Sequence, residues 1–306
     1  MGLLTVEVLP LAGMRTAKAI WDLLRLGHGV MIALGILVGA VIAVPAVPPL
    51  WMFVLTFCVA LFLEASTFAL NDYFDVEIDR KNKRLDRPLV RGDVSPRTAI
   101  GLAAVLFPLG LLAAYFVNLP CFIIAVVTAA FALVYDVVLK RVKVVGNFFI
   151  AYVMAIPFVF GGVAVIPSGG GLGSLHPAIV LVAVIAFLAG VGREMMKDVQ
   201  DFEGDSALGV KSFPRYLGLR GANTLAVVFY LAAVALSFLP FSMSLFGKYA
   251  GNYVYLGFIV VTDLILLGVA WQLVRSKKAD YPRLRKWSLV ALLFGLLGFL
   301  IGAFVG

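Results

Sequence analysis

Cysteine and histidine are almost absent from this chain. Among 306 residues there are two cysteines, Cys58 and Cys121, and two histidines. Both cysteines lie inside apolar segments, so we expect neither a disulfide framework nor a thiolate metal site.

Charged residues are also scarce. They make up 14% of the chain, against 62% hydrophobic residues, and the mean hydropathy is +1.04. Soluble domains carry about 25% charged residues, so a core of this composition needs lipid as its solvent. No apolar region near the N-terminus is followed by a small-residue cleavage site, and we expect no cleavable signal peptide.

Nine apolar segments have the length of about 20 residues that a membrane-spanning helix requires. They cover residues 29–50, 51–72, 97–117, 119–139, 145–165, 177–197, 222–242, 252–274 and 286–304. The sequence therefore predicts an all-α, polytopic membrane protein of nine transmembrane helices. We expect a single domain over 1–306, in which 1–28 form an N-terminal surface helix.

Positive charge is distributed unevenly between the two sides of this arrangement. With nine alternating helices, 24 of the 25 Lys and Arg residues fall on one side, and Lys248 is the exception. Positively charged loops stay in the cytoplasm. We therefore expect a multi-pass protein of the cell membrane whose N-terminus and loops 73–96 and 198–221 are cytoplasmic. The same asymmetry accounts for the net charge of +8 without a nucleic-acid partner.

Two nine-residue stretches, 71–79 and 197–205, repeat one acidic pattern, each at the end of an apolar segment. The pairs Asp72/Asp198, Asp75/Asp201, Glu77/Glu203 and Asp79/Asp205 are each 126 residues apart. Spacings of three and four put the three Asp of each copy on one helical face. Like charges there repel, so we expect a cation to neutralise each cluster. The repeat also predicts two four-helix halves plus one extra helix around a central cavity, with the clusters facing each other across its mouth.

The clusters offer hard oxygen ligands, which suit magnesium or calcium rather than zinc. Magnesium takes few carboxylates and completes its shell with phosphate oxygens. Basic residues flank both clusters: Arg80 and Arg84 follow the first, Arg193 and Lys197 precede the second, and Lys211 follows it. Carboxylates, magnesium and cations together favour a clamp for a diphosphate leaving group.

Two other function classes stay open. A cation transporter also binds ions with intramembrane carboxylates, but near the bilayer midplane, whereas these clusters lie at the ends of spans. A membrane CDP-alcohol phosphotransferase also uses Asp clusters and metal, but its Asp-Gly and Ala-Arg signature is absent from this chain.

Over nearly its whole length the chain resembles the UbiA superfamily of intramembrane prenyltransferases. The resemblance is carried by Asn-Asp-x-x-Asp-x-x-x-Asp at 71–79 with Arg-x-x-Arg-Pro at 84–88, and by Arg-Glu-x-x-Lys-Asp-x-x-Asp-x-x-Gly-Asp at 193–205. It implies magnesium-assisted transfer of a prenyl group from an isoprenyl diphosphate to a lipophilic acceptor. The second motif is most similar to the archaeal ether-lipid branch, which implies a geranylgeranyl group and geranylgeranylglyceryl phosphate as acceptor. Aromatic or chlorin acceptors (4-hydroxybenzoate, homogentisate, chlorophyllide) remain the alternative.

The resemblance also implies roles for individual residues. The metal motifs comprise Asn71, Asp72, Asp75, Asp79, Asp198, Asp201 and Asp205, and we expect Asp72, Asp75, Asp198 and Asp201 to carry catalysis. Further implied diphosphate contacts are Arg25, Tyr135 and Lys140. Glu194 lies where some relatives carry Asp. Relatives often have Asn near the position of His28, and a histidine there could mark a different acceptor. Glu64 and Asp263 lie inside spans, where an ionisable group is a functional candidate by default.

Overall fold

The computed structural model describes residues 12–26, 29–44, 48–81, 84–136, 142–166, 172–207, 209–275 and 279–305. Regular structure within these ranges is entirely helical, as predicted. The α-helices are α1 (Ala12–Leu24), α2 (Gly29–Ala43), α3 (Leu50–Lys81), α4 (Pro88–Arg91), α5 (Pro96–Val117), α6 (Leu119–Val134), α7 (Lys143–Ala164), α8 (Pro177–Gln200), α9 (Phe202–Ala207), α10 (Phe213–Ser237), α11 (Leu239–Ser242), α12 (Tyr253–Arg275) and α13 (Tyr281–Val305). Short 3-10 segments cover Leu172–Ser174 and Ser244–Tyr249.

Within the described residues, seven stretches of helix are long and apolar enough to cross a membrane. They are α3, α5, α7, α8, α10 with α11, α12 and α13. An eighth candidate arises when α1 and α2 are taken together as one bent span, and α6 is apolar but has 16 residues. Each of the nine predicted segments thus contains a helix, and a polytopic membrane protein is supported. The count of nine spans stays a prediction.

Polar caps and prolines mark the boundaries of the helices near the chain turns. Ser95 accepts a hydrogen bond from the Thr98 amide at the start of α5, where Pro96 takes the first helical position. Asn118 accepts from the Cys121 amide at 2.8 Å and begins α6 directly after α5. Both side chains satisfy amides that a helix N-terminus leaves without intrahelical partners. These caps explain why the chain turns sharply here.

Helices α2 and α7 cross at a very short distance. A Cβ atom added to Gly39 would lie 1.9 Å from the carbonyl oxygen of Phe158, and one added to Gly161 would lie 1.9 Å from that of Ile36. Lipid supplies no hydrophobic force between helices, so close backbone packing through small residues is a major source of association. Glycine is therefore required at both positions.

The two helices that carry the acidic segments each pack against the long helix that follows them, α5 on α3 and α10 on α8. The short α1 lies against α3 and α4, where it buries Ala19 and Leu23 beside Ala65 and Ala69. This contact brings the residue after α1, Arg25, next to the acidic end of α3. The pairs α3–α5 and α8–α10 are equivalent in the sequence repeat. The predicted division into two four-helix halves is not established by these contacts and stays a prediction.

Candidate active site

The first acidic cluster lies on the last turns of α3, which is continuous to Lys81. The Asp72 side chain is 2% exposed, and its Oδ1 accepts hydrogen bonds at 2.9 Å from Arg25 Nη2 and from Arg87 Nη1. The Nε of Arg87 also lies 3.8 Å from Asp79 Oδ2. Because one guanidinium reaches both carboxylates, Asp72 and Asp79 share a helical face.

The second cluster is built around a break in the helix. Helix α8 ends at Gln200, Asp201 caps it, and Asp205 lies in α9. The three carboxylates nevertheless lie together, because Lys143 Nζ is 3.9 Å from Asp198, 3.9 Å from Asp201 and 2.5 Å from Asp205. Asn147, one turn after Lys143 on α7, donates to Asp198 at 2.7 Å.

Two side chains connect the clusters. Arg84 is held by hydrogen bonds of 2.9 and 2.8 Å to Asp86. That pairing raises the pKa of the Arg84 guanidinium, as do the charges of Asp86, Asp79 and Asp201, while partial burial opposes the shift. Tyr135 lies close enough to interact electrostatically with Asp75 of the first cluster and with Asp198 of the second. The two predicted clusters therefore lie near each other.

The chain supplies cations for its own buried carboxylates. Asp72 and Asp198 are both buried, and a buried unpaired carboxylate costs several kcal/mol. Arg25 and Arg87 neutralise the first, and Lys143 and Asn147 stabilise the second. Charge repulsion within each cluster predicted a neutralising cation. Basic side chains of the chain itself supply part of that positive charge.

The donor set fits a hard divalent cation. The candidate ligands are carboxylate and amide oxygens, which magnesium prefers. Across the part of the chain that the structure describes, no three carboxylate, imidazole or thiolate groups converge as a ready metal-binding group. The carboxylates instead face basic side chains, and those same side chains suit the oxygens of a phosphate group.

The remaining predicted residues have different surroundings. Arg80 is exposed at the end of α3, Lys211 is exposed before α10, and Glu77 and Glu203 are exposed as well. Lys197 lies 3.9 Å from Glu194. Lys140 and His28 lie outside the described residues.

Two acids inside the helical bundle were also candidates. Glu64 lies on α3 two turns before Asp72 and interacts with the charge of Arg25, whose guanidinium stacks over Phe68 at 4.3 Å. Glu64 is thus linked to the acidic site. Asp263 on α12 instead accepts hydrogen bonds from Ser237 of α10, at 2.8 and 3.1 Å. The half-buried carboxylate of Asp263 is therefore accounted for by a contact between α10 and α12.

Three residues of the site were missing from the predicted set. Arg87 holds Asp72 and Asp79, Lys143 holds the second cluster, and Asn147 holds Asp198. Arg87 was recognisable as the arginine of an Arg-Pro pair immediately before a helix. Lys143 and Asn147 are four residues apart and so share a face of α7. Nothing in their spacing shows that this face meets α8.

The family model of the UbiA prenyltransferase family matches residues 32–293. The digeranylgeranylglyceryl phosphate synthase of Archaeoglobus fulgidus is 44% identical over 291 residues, which cover 95% of this chain and 97% of that protein. The synthase of the same name from Pyrococcus furiosus is 32% identical, covering 94% of this chain and 97% of that protein.

Solved structures agree with these relatives. One that describes digeranylgeranylglyceryl phosphate synthase in membranes superposes with a TM-score of 0.76 at 31% identity, covering 94% of this chain and 99% of the other. A UbiA homologue from Archaeoglobus fulgidus bound to DMAPP and Mg²⁺ gives a TM-score of 0.63 at 18% identity, covering 94% of this chain and 99% of the other. This second likeness is one of fold alone.

Proposed function

The chain belongs to the UbiA prenyltransferase family, and we propose that it transfers a geranylgeranyl group from geranylgeranyl diphosphate to geranylgeranylglyceryl phosphate. The allylic C–O bond to the diphosphate breaks, and an ether bond forms to the acceptor hydroxyl, which releases its proton. The proposed acceptor rests on the 44% identity, over 95% of the chain, to a digeranylgeranylglyceryl phosphate synthase. The juxtaposition of two acidic clusters supports the use of a diphosphate.

We propose that Asp72, Asp75, Asp198 and Asp201 carry catalysis, as ligands of magnesium together with Asn71, Asp79 and Asp205. Bound magnesium would neutralise the charge that grows on the diphosphate as the C–O bond breaks. Three of these carboxylates, those of Asp72, Asp79 and Asp198, are buried, in a setting where charge interactions are stronger than in water. The oxygen-only donor set is what supports this assignment.

The basic side chains have a matching proposed role. Arg25, Arg87 and Lys143 hold the carboxylates at 2.5–2.9 Å, and their remaining N–H groups are donors for diphosphate oxygens. Arg80, Arg84, Tyr135, Lys140 and Lys197 remain proposed diphosphate contacts. An allylic cation forms as the diphosphate leaves, so water must be kept from the prenyl chain. The apolar, membrane-spanning part of the helical bundle offers the prenyl chain such a water-free environment.

The proposed orientation follows from charge. The protein is a multi-pass membrane protein, and we propose that the N-terminus and the loops 73–96 and 198–221 face the cytoplasm. A water-soluble diphosphate head group would then enter from the cytoplasm, and both prenyl chains would enter from the lipid.

A product assay tests the proposal. Purified protein receives geranylgeranyl diphosphate and magnesium, with geranylgeranylglyceryl phosphate, 4-hydroxybenzoate and chlorophyllide in parallel reactions. We expect digeranylgeranylglyceryl phosphate and one diphosphate released per product. Preferred prenylation of an aromatic or chlorin acceptor would overturn the assigned acceptor. Ion flux in vesicles without diphosphate release from any mixture would instead favour a transporter.

A further inference from the structure

A second group of cations lies next to the acidic site on a different face of α8. Residues 193, 197 and 200 share one face of this helix, and residues 194, 198 and 201 share the neighbouring one, about 100° away. The first face points toward α13, because Gln200 accepts a hydrogen bond from Arg285 Nη1 at 3.3 Å. Arg193 therefore lies beside the aspartate cluster rather than within it.

Arg193 and Arg285 are close enough for their charges to interact, and Arg193 also interacts electrostatically with Tyr230 of α10. The Nε atoms of both guanidinium groups are buried and meet no hydrogen-bond acceptor among the described residues. The carboxylate nearest to Arg193 is that of Glu194, at 3.7 Å, and Lys197 approaches the same carboxylate at 3.9 Å. One carboxylate thus lies near two of the three cations, while the third, Arg285, donates to the neutral side chain of Gln200.

Arg193, Lys197 and Arg285 together carry more positive charge than the carboxylate of Glu194 can balance. Two neighbouring guanidinium groups repel each other, and a buried N–H donor without an acceptor is unfavourable, more so when the group is charged. Arginine presents a planar fork of donors that matches the oxygens of a phosphate. A phosphomonoester between Arg193 and Arg285 would satisfy the buried donors and balance the excess positive charge.

We propose that Arg193 and Arg285 form a phosphate-binding site that holds the phosphate of the lipid acceptor, separate from the diphosphate held at the aspartates. The inference rests on the proposed function, since that acceptor carries a phosphate which takes no part in bond making. Arg193 precedes Asp198 by five residues, or about 7.5 Å along the helix axis. A glyceryl phosphate anchored there keeps its hydroxyl, a few bonds from the phosphate, beside the prenyl diphosphate. Arg193, predicted from sequence as a diphosphate contact, is thereby reassigned to the acceptor.

Binding measurements without the prenyl donor test the site. The affinity of purified protein is measured for geranylgeranylglyceryl phosphate and for the same lipid without phosphate, geranylgeranylglycerol. The wild type should bind the phosphorylated lipid at least about tenfold more tightly, as charged hydrogen bonds of 1.5–3 kcal/mol imply. Arg193→Gln and Arg285→Gln should each remove most of that preference. Arg283→Gln, which removes the same charge from an exposed position of α13, should keep it.

Several outcomes would overturn the inference. One is that both variants retain the preference for the phosphorylated lipid. A second is that they raise the KM for geranylgeranyl diphosphate as much as that for the acceptor, which would return Arg193 to the diphosphate. A third is that phosphatidic acid competes as well as the acceptor, which would make the site one for membrane-lipid head groups.

The test also separates this inference from the proposed function. Wild-type protein that shows the phosphate preference but forms no product would contradict the function and leave the binding site standing. Product formation by a wild type whose preference survives in both variants would contradict the binding site alone. Thermal unfolding of each variant is measured in parallel. If Arg285→Gln does not fold, Arg285→Lys takes its place: it keeps the positive charge but lacks the planar donors of a guanidinium, so it should retain part of the preference.

Discussion

Asp72 and Asp198 occupy equivalent places in the repeat, and both are buried carboxylates held by side chains from other helices. Asp72 accepts from Arg25 and Arg87, while Asp198 accepts from Asn147 and lies 3.9 Å from Lys143. Each carboxylate is therefore fixed in position before any substrate arrives, which is the preorganisation that electrostatic catalysis needs.

Asp72→Asn and Asp198→Asn should each lower turnover on the order of 10²-fold or more, as expected when a preorganised charge is removed. Matched controls are Glu77→Gln and Glu203→Gln, because these acids also recur in the repeat but are exposed. Turnover is measured as diphosphate release at saturating substrates. Near-normal activity of both Asn variants would contradict the two-cluster site.

The effect of Asp72→Asn on thermal stability gives a separate prediction. If the acids of a cluster only repelled each other, removing one of them would stabilise the protein. In the structure Asp72 contacts two arginines that are 22% and 19% exposed, at 2.9 Å each. Asp72→Asn removes this shared carboxylate, and Arg87 keeps its longer contacts to Asp79 and Asp86. We therefore expect the melting temperature of this variant to fall modestly rather than rise.

Lys143 is the residue whose loss should affect the whole second cluster. Its ammonium lies within 4 Å of Asp198, Asp201 and Asp205. Lys143→Gln should lower kcat/KM for the prenyl diphosphate by about tenfold or more, since one charged contact contributes about 1.5–3 kcal/mol. Lys248→Gln, which removes the same charge beside Ala303, is the control. Equal activity of the two variants would remove Lys143 from the site.

Activity should also require a divalent ion. We expect magnesium to support turnover best, a chelator to abolish it, and zinc to substitute poorly, because the proposed ligands are all oxygens. Product formation is followed with each ion added back after chelation. Full turnover in chelator would remove the metal from the mechanism.

The acids of the site could be predicted from sequence, whereas several of their partners could not. The spacing of Asp72, Asp75 and Asp79 on one helix fixes their common face. Pairing Lys143 with Asp198 depends on how α7 packs against α8, and no local pattern encodes that contact. Arg87 reaches Asp72 only because the chain turns back after α3.

At the scale of elements, the two copies of the acidic motif differ although their acidic spacing is the same. The first copy lies on the continuous helix α3, while the second is divided between α8, Asp201 and α9. Gly204 and Gly209 weaken helix formation after Asp201, and Gly209 has the positive φ of +72° that ends such a segment. Backbone bonds from Asp201 to Lys197 and from Asp205 to Asp201 keep the helical spacing, so the carboxylates stay on one side.

The crossing of α2 and α7 gives a prediction at this scale. Gly39→Ala and Gly161→Ala each place a methyl group 1.9 Å from a carbonyl oxygen of the facing helix. The helices must separate, at a cost of about 1–3 kcal/mol typical of overpacking. The melting temperature in detergent should fall for both variants.

Gly268→Ala on α12 is the matched control for this crossing. No atom lies within 4 Å of the added methyl group, and alanine favours a helix by about 1 kcal/mol over glycine. Its melting temperature should stay unchanged or rise. If all three variants behaved alike, close packing of α2 on α7 would be wrong.

For the whole molecule, hydropathy predicts where helices lie better than how many cross the membrane. Each predicted span contains a helix, but α6 is 16 residues long and α2 has 15. Whether helices of this length cross the whole bilayer depends on their tilt and on how neighbouring helices pack against them, and neither is encoded in length or composition. The predicted orientation rests instead on charge, and it gives the last test.

Single cysteines should report which side each end of the bundle faces. In a protein with Cys58 and Cys121 changed to Ala, Ser206→Cys in α9 and Ser244→Cys in the 3-10 segment place exposed thiols at the two ends. Because 24 of the 25 basic residues lie on the side of Ser206 in the predicted arrangement, that side should be cytoplasmic. An impermeant thiol reagent added to intact cells should label Ser244→Cys and should reach Ser206→Cys only after the cells are opened. Labelling of both from the same side would break the alternation of spans between residues 206 and 244, and with it the cytoplasmic entry proposed for the diphosphate.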